Sequence, residues 1–133
     1  MIYAMAAMVL LTFIVGTVAV KRRFASVKQG NVDAKYFKLM VGENIPDDVA
    51  KSTRNFNNLF EVPLLFYIAA TLHIVLTLDS IIGLIFAWLF VVFRYWHSYI
   101  HLTYNKLTHR MTIYWLGLFC VLILWLNLLV EMH

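Results

Sequence analysis

Charged residues are scarce in this sequence. Asp, Glu, Lys and Arg make up 14% of the 133 residues, and 62% of the residues are hydrophobic. A soluble domain has about 25% charged residues and under half apolar ones. This composition excludes a soluble globular protein and indicates an integral membrane protein. The length allows a single domain over residues 1–133.

The sequence also lacks the features of several other protein classes. It has one cysteine, Cys120, so no disulfide can form within the chain, and its apolar neighbours are typical of an inert buried thiol. No basic residue precedes the first apolar run and no Ala-x-Ala-like site follows it, which indicates a retained helix, not a cleaved signal peptide. The alternating ten-residue segments of a membrane β-barrel are absent.

The hydrophobic residues fall into four long runs. Each run has about 19 to 24 residues, close to the ~20 that a helix needs to cross ~30 Å of hydrocarbon. We therefore predict an all-α integral membrane protein, a bundle of four transmembrane helices. Their approximate bounds are 2–20, 56–78, 81–104 and 111–132.

Basic residues are distributed unevenly between the connecting segments. Most lie in a long basic loop over residues 21–55, and Lys106 and Arg110 lie between the third and fourth helices. The first 20 residues and the Asp79–Ser80 turn have none. The positive-inside rule places both basic loops in the cytoplasm and both termini outside, as in a bacterial inner membrane. We expect contacts with membrane lipids and no nucleic-acid partner.

Arg94 lies deep inside the third apolar run. A cation at the centre of a bilayer costs ~3 kcal/mol on insertion scales, so an arginine there usually has an anionic partner. Glu61 is the only acid well inside another apolar run. We therefore expect Glu61 to pair with Arg94.

Polar residues recur at helical spacing on the second and third helices. Arg54, Asn58 and Glu61 lie at i, i+4 and i+7, which places them on one helix face. A second face of this kind carries Arg94, His97, His101 and either Tyr104 or Asn105. Two such stripes cannot both face lipid, so we expect them to meet in one polar cleft. A polar seam that only fixes helix packing is the alternative.

The same residues resemble the family of membrane-associated proteins in eicosanoid and glutathione metabolism (MAPEG), which includes the microsomal glutathione transferases. The family pattern Arg-x-x-x-Asn-x-x-Glu followed by Pro is matched on the second helix, Arg-x-x-His is matched on the third, and an arginine opens the fourth. The matching residues are Arg54, Asn58, Glu61, Pro63, Arg94, His97 and Arg110. The resemblance covers essentially the whole chain.

The resemblance implies a homotrimer with sites between subunits and glutathione as the cofactor. The implied activity is transfer, peroxide reduction or isomerisation on a lipophilic electrophile at the cytoplasmic side of the membrane. Arg110 would face the sulfur, with His101 or Tyr104 as a second donor. The implied cofactor-binding residues are Arg54, Asn58, Glu61, Arg94, His97 and one basic residue of the first loop, taken here as Arg22.

Two other functions fit parts of the sequence. A non-enzymatic lipid-binding or regulatory membrane protein could use the same fold. His97 and His101, four residues apart on one helix, could also bind a metal with Glu61. The HExxH motif is absent, and we predict no metal site.

Overall fold

The computed structural model describes residues 1–39 and 45–132. Within these ranges the chain is helical: α1 (Ile2–Lys28), α2 (Tyr36–Leu39), α3 (Asp47–Asn58), α4 (Val62–Val75), α5 (Ile81–Leu102) and α6 (Leu107–Glu131). The segments long and apolar enough to span a membrane are α1, α3 with α4, α5 and α6. The prediction of an all-α membrane protein with four spanning helices is confirmed.

The helix bounds differ from those predicted at most ends. The first helix continues past Val20 to Lys28, and the second span begins at Asp47 instead of residue 56, so much of the expected basic loop is helical. The fourth helix begins at Leu107, four residues before the start of its apolar run. The length of an apolar run reflects the thickness of the hydrocarbon layer. Helical hydrogen bonding can continue beyond that layer, so the helices extend into the polar flanking residues.

The second span is broken in the middle. The α3 helix ends at Asn58 and α4 begins at Val62, with Pro63 in its first turn. Proline is tolerated there because the amides of the first turn have no partner within the helix. Pro63 therefore lies at a boundary between two helices, and Glu61 occupies the N-cap position of the second one.

The third span ends two residues earlier than expected, at Leu102. Asn105 follows with φ of 49°, and its amide donates to the Ile100 carbonyl oxygen at 2.8 Å. Asparagine is one of the few residues that adopts this left-handed conformation readily, and the bond satisfies a carbonyl at the helix terminus. The turn between α5 and α6 is therefore short and well defined.

The helices pack as an up-and-down bundle. The α5 helix lies along α6, α3 lies between α1 and α5, and α4 packs on α6 and α1. The second and third spans are neighbours, and the rings of Phe66 and Phe90 stack with centroids 4.7 Å apart. The outward surface is apolar and includes Phe13, Trp88 and Trp115, as lipid contact requires.

Candidate functional site

Arg94 is enclosed by the bundle and forms no ion pair with Glu61. Its side chain is 1% exposed, and its Nη2 donates to the carbonyl oxygen of Asn58 at 2.7 Å. Among the described residues the one ion pair within 4.0 Å joins Lys51 and Asp47. The expected pairing of Arg94 with Glu61 is therefore wrong for this chain on its own.

The end of α3 explains how Arg94 is held without that carboxylate. Asn58 is the last residue of α3, so its carbonyl oxygen lacks a partner within the helix. The carboxyl end of a helix carries about half a negative elementary charge, and cations stabilise it. Arg94 therefore caps α3 and joins it to α5. The two predicted stripes do not meet in one cleft, because Arg54 and Glu61 are exposed and the buried polar face of α3 carries Ser52 and Asn55 instead.

The second-helix residues remain accessible. Arg54 and Glu61 are exposed and Asn58 is half-buried, and the Asn58 amide donates to the Arg54 carbonyl oxygen at 3.2 Å. Glu61 lies in the break after α3, not on that helix as expected. These three residues form a surface that we call the polar stripe, with free charges of both signs.

The start of α6 brings another predicted group together. Arg110 donates through Nη1 to Asn105 Oδ1 at 2.7 Å, and the same nitrogen lies 3.3 Å from His101 Nε2. Because both contacts use one terminal nitrogen, the other can turn toward a ligand. Tyr104 is not part of this group: its hydroxyl lies 3.2 Å from His109 Nδ1 in an exposed position.

His97 and His101 lie in the interior. They are 2% and 1% exposed, with ring centroids 5.6 Å apart. Glu61 is exposed, so the three residues of the alternative metal site do not form one cluster. In the part of the chain that the structure describes, no group of three His, Cys, Asp or Glu side chains could hold a metal ion.

Arg22 is used to hold the polar end of the bundle together. Its Nη2 donates to the Leu102 carbonyl oxygen at 2.9 Å, at the end of α5, and its Nη1 to the Asp48 carbonyl oxygen at 3.3 Å, in the first turn of α3. These contacts also place the basic ends of α1, α3 and α5 at the same end of the molecule.

Arg23, the next residue, lies on an apolar groove between α1 and α3. The groove has a volume of about 750 Å³, and Lys21 and Arg23 lie at its basic end. Gly16 makes room for its aromatic wall, since a Cβ there would lie 3.1 Å from Phe56 Cε2. Phe56 is two residues from both Arg54 and Asn58, which at about 100° per residue places the groove and the polar stripe on opposite faces of α3.

The sequence identified most of these polar residues but not the groups that they bind. Asn55 is fully buried, and its Oδ1 accepts a hydrogen bond from Ser98 at 3.3 Å, one turn from the Arg94–Asn58 contact. Ser52 and Asn55, at i and i+3, could have indicated a second polar face on α3. No sequence signal identifies backbone carbonyl oxygens as acceptors.

A comparison with family models completes this description. The model of the MAPEG family matches residues 1–130 of the chain. The chain belongs to the MAPEG family. No curated protein and no solved structure matched the chain. The family assignment and the four membrane-spanning helices identify a multi-pass integral membrane protein in contact with lipid.

The residues that match the family motifs lie together at the polar end of the bundle. The resemblance was based on three motifs, and the structure places residues of all three at this end. The residues of the polar stripe are accessible there, and Arg94 binds the carbonyl oxygen of Asn58 from the interior of the bundle. Arg110 lies beside His101 at the same end. The polar end is therefore the candidate site.

Proposed function

We propose that this MAPEG member binds glutathione and uses its thiolate to conjugate, isomerise or reduce a lipophilic substrate. The observation that carries the proposal is the polar stripe, an accessible arginine, amide and carboxylate with no competing ion pair among the described residues. Glutathione has two carboxylates, one ammonium and one thiol. The stripe offers a cation for one of the carboxylates and an anion for the ammonium.

The stripe residues divide the binding of glutathione between them. Glu61 would bind the ammonium, Asn58 would hydrogen-bond the peptide, and Arg54 would bind a carboxylate with the two parallel bonds that a guanidinium allows. Arg94, which is buried, would hold the end of α3 in position without touching the ligand, and His97 packs behind it against His101 and Tyr114. Arg94 is in this proposal a positioning residue.

Arg110 is the proposed catalytic residue. Bound glutathione supplies a thiolate nucleophile. A free thiol has a pKa near 8.5 and is mostly protonated at neutral pH, and each unit of pKa lowering requires about 1.4 kcal/mol of preferential interaction with the anion. Arg110 would provide that interaction through the terminal nitrogen that Asn105 and His101 leave available. His101 would fix the direction of the guanidinium.

The groove is the proposed site of the lipophilic substrate. It is lined by Phe13, Phe56 and Phe60 and is open to the bilayer side of α1. Because the groove and the stripe lie on opposite faces of α3, one copy cannot bring them together. The proposed homotrimer solves this problem, since the stripe of one copy can face the groove of the next. Arg23, at the basic end of the groove, replaces Arg22 as the first-loop residue of the site.

A mixed assembly tests this arrangement. Glu61→Gln alters the stripe and Arg23→Gln alters the groove, and each variant alone is expected to lose most conjugation of a chlorodinitrobenzene. If sites form between copies, co-expressed variants contain one site with two unaltered halves, and activity returns. If each site lies within one chain, every site carries one lesion and no activity returns.

A non-enzymatic lipid-binding function is the second candidate, and one observation favours it. The Tyr104 hydroxyl contacts His109, so it is not available beside Arg110. Glutathione binding without turnover of any electrophile would support this alternative. Turnover that is lost in Arg110→Ala would exclude it.

The proposed location of the site is the cytoplasmic side of a bacterial inner membrane, with both termini outside. The polar end carries nearly all of the basic residues, including Arg22, Arg54 and Arg110, and glutathione is a cytoplasmic thiol. An alkaline phosphatase fused after His133 should be active, whereas one fused in the basic loop after Asn31 should be inactive. The reverse pattern would contradict the proposed topology.

A further inference from the structure

A second apolar groove, which we call the α1–α2 groove, adjoins the groove between α1 and α3. It has a volume of about 330 Å³, and Val20 and Arg23 line both grooves. The other residues that line it are Phe24, Val27, Ala34 and Phe37. Because the Phe24 side chain is 74% exposed, this side of the groove is open to the surroundings of the protein.

The α1–α2 groove lies at the level of the lipid head groups. The apolar run of α1 ends at Val20, and the helix continues to Lys28. At 1.5 Å per residue, Phe24 lies about 6 Å beyond the end of the apolar run. The head-group layer of a bilayer is about 5 to 8 Å thick on each side. The groove therefore faces the polar layer of the membrane and not its hydrocarbon interior.

Lysines surround the α1–α2 groove. Each lysine of residues 20–38 directly follows a residue that lines the groove, and these lysines are Lys21, Lys28, Lys35 and Lys38. All four are exposed. Asp33 is the only acid of the same segment. The rim of the groove is therefore strongly positive.

Arg23 adds a further cation and holds Phe37 in the wall of the groove. Its Nη2 donates to Thr53 Oγ1 at 3.1 Å, and its guanidinium carbon lies 5.8 Å from the centre of the Phe37 ring. Among the described residues, no cation of this groove belongs to an ion pair. An apolar wall with a cationic rim is complementary to an anionic lipid at the point where its acyl chains meet its phosphate.

We propose that the α1–α2 groove binds one anionic phospholipid from the leaflet at the basic end of the bundle. The glycerol and the first methylenes of the lipid pack on Phe24 and Phe37, and the phosphate is bound by Lys28 and Lys35. Only part of a lipid fits into about 330 Å³, so the rest of its acyl chains stay in the bilayer. This site is separate from the polar stripe, and the inference does not depend on the proposed function.

Native mass spectrometry of the detergent-solubilised protein tests the inference. Phosphatidylglycerol and phosphatidylethanolamine with identical acyl chains are titrated in turn, and the lipid-bound fraction gives an apparent dissociation constant. Phosphatidylglycerol should bind about tenfold more tightly, because the ammonium of phosphatidylethanolamine would lie among the lysines of the rim. Equal dissociation constants for the two lipids would overturn the inference.

Two matched double variants locate the bound lipid. Lys28→Gln combined with Lys35→Gln removes two charges of the rim and should weaken phosphatidylglycerol binding about 25-fold, at about fivefold per charge. Lys51→Gln combined with Lys106→Gln removes the same charge from α3 and from the turn before α6, outside the groove, and should leave the dissociation constant nearly unchanged. Equal weakening in both double variants would show a general charge effect and overturn the inference.

A fluorescence measurement covers the case in which the double variant of the rim does not fold. Phe24→Trp places an indole at the groove, and its emission is the difference between the variant and the wild type. In nanodiscs, phosphatidylglycerol with bromine in the upper part of its acyl chains should quench this emission more than phosphatidylethanolamine brominated in the same way. Equal quenching by the two lipids would contradict the proposed preference and overturn the inference.

Glycerol phosphate separates a lipid site from a site for a soluble anion. It carries the phosphate without acyl chains, so it should not reduce the quenching by brominated phosphatidylglycerol. A reduction would show that the groove binds a soluble anion and would overturn the inference.

Discussion

Two of the buried polar clusters in the described part of this bundle differ in how completely their hydrogen bonds are satisfied. The first is the arginine cluster around Arg94 and Asn55, at the basic end. The second, which we call the histidine clamp, is His73 on α4 with Asn127 on α6. His73 contacts the Ala69 carbonyl oxygen at 2.9 Å through Nδ1 and the Asn127 side chain at 3.2 Å through Nε2. Both ring nitrogens of the clamp are used.

A buried cluster whose polar atoms all have partners can be explained by packing alone, whereas unpaired buried donors need a further explanation. His73 is 1% exposed and has a partner at each nitrogen, so the clamp needs no ligand. The arginine cluster leaves Arg94 and Asn55 with free donors and borders the accessible stripe. The clamp lies next to Gly83, about 16 Å along α5 from Arg94. The clamp is thus fully hydrogen-bonded, whereas the arginine cluster at the other end has donors without partners among the described residues.

The largest effect is expected from adding a methyl group next to the clamp, at Gly83. A Cβ at Gly83 would lie 2.8 Å from Asn127 Oδ1 and 3.0 Å from His73 Nε2. Gly83→Ala should therefore lower the free energy of unfolding by about 2 to 3 kcal/mol, through overpacking and a broken hydrogen bond. Gly117→Ala is the control, because its Cβ would meet Phe90 at an ordinary 3.8 Å. Equal stability of the two variants would contradict the clamp.

A smaller effect is expected from removing one partner of the clamp. Asn127→Leu leaves His73 Nε2 buried without a partner, at a cost of about 1 to 3 kcal/mol. Adding His73→Leu removes the orphaned group, so the double variant should be less destabilised than the sum of the two single variants. Chemical denaturation of all four proteins gives this coupling. Strictly additive costs would mean that the two side chains do not interact.

The smallest effect concerns a satisfied group at the basic end. Arg22→Gln loses the contacts to the Leu102 and Asp48 carbonyl oxygens, so the free energy of unfolding should fall by about 1 kcal/mol. Because Arg22 is committed to these contacts, glutathione affinity should stay within about twofold of wild type. Lys21→Gln, which is exposed, controls for the lost charge. A tenfold loss of affinity in Arg22→Gln alone would return Arg22 to the cofactor-binding residues.

The sequence predicted the number of spanning helices well, since hydropathy reports directly on what a bilayer requires. Helix ends were less predictable because they depend on local capping. Asn105 follows the end of α5 in a left-handed turn, and α4 begins at Val62, next to Pro63, within a run that was predicted to form one helix over 56–78. Neither outcome follows from hydrophobicity.

The partners of the site residues were predicted least well. Glu61 was chosen for Arg94 because it is an acid in an apolar run, but a carbonyl oxygen at the end of α3 takes that place. Every residue has a carbonyl group, so the sequence cannot indicate which one a helix end leaves free. Arg22 likewise binds backbone carbonyl oxygens, those of Asp48 and Leu102, which the sequence could not indicate. Arg110 and His101 were placed at the same site by the resemblance, but their contact with each other was not predicted.

The central claim is that the polar stripe binds glutathione through Glu61. Isothermal titration calorimetry of the detergent-solubilised protein with glutathione measures this directly. Wild type should bind, and Glu61→Gln should bind about 30-fold more weakly, as expected for the loss of about 2 kcal/mol from one charge-assisted contact. Glu131→Gln, the same change at the other end of the bundle, should bind like wild type. Absence of binding by wild type, or equal affinity in Glu61→Gln, would contradict the account.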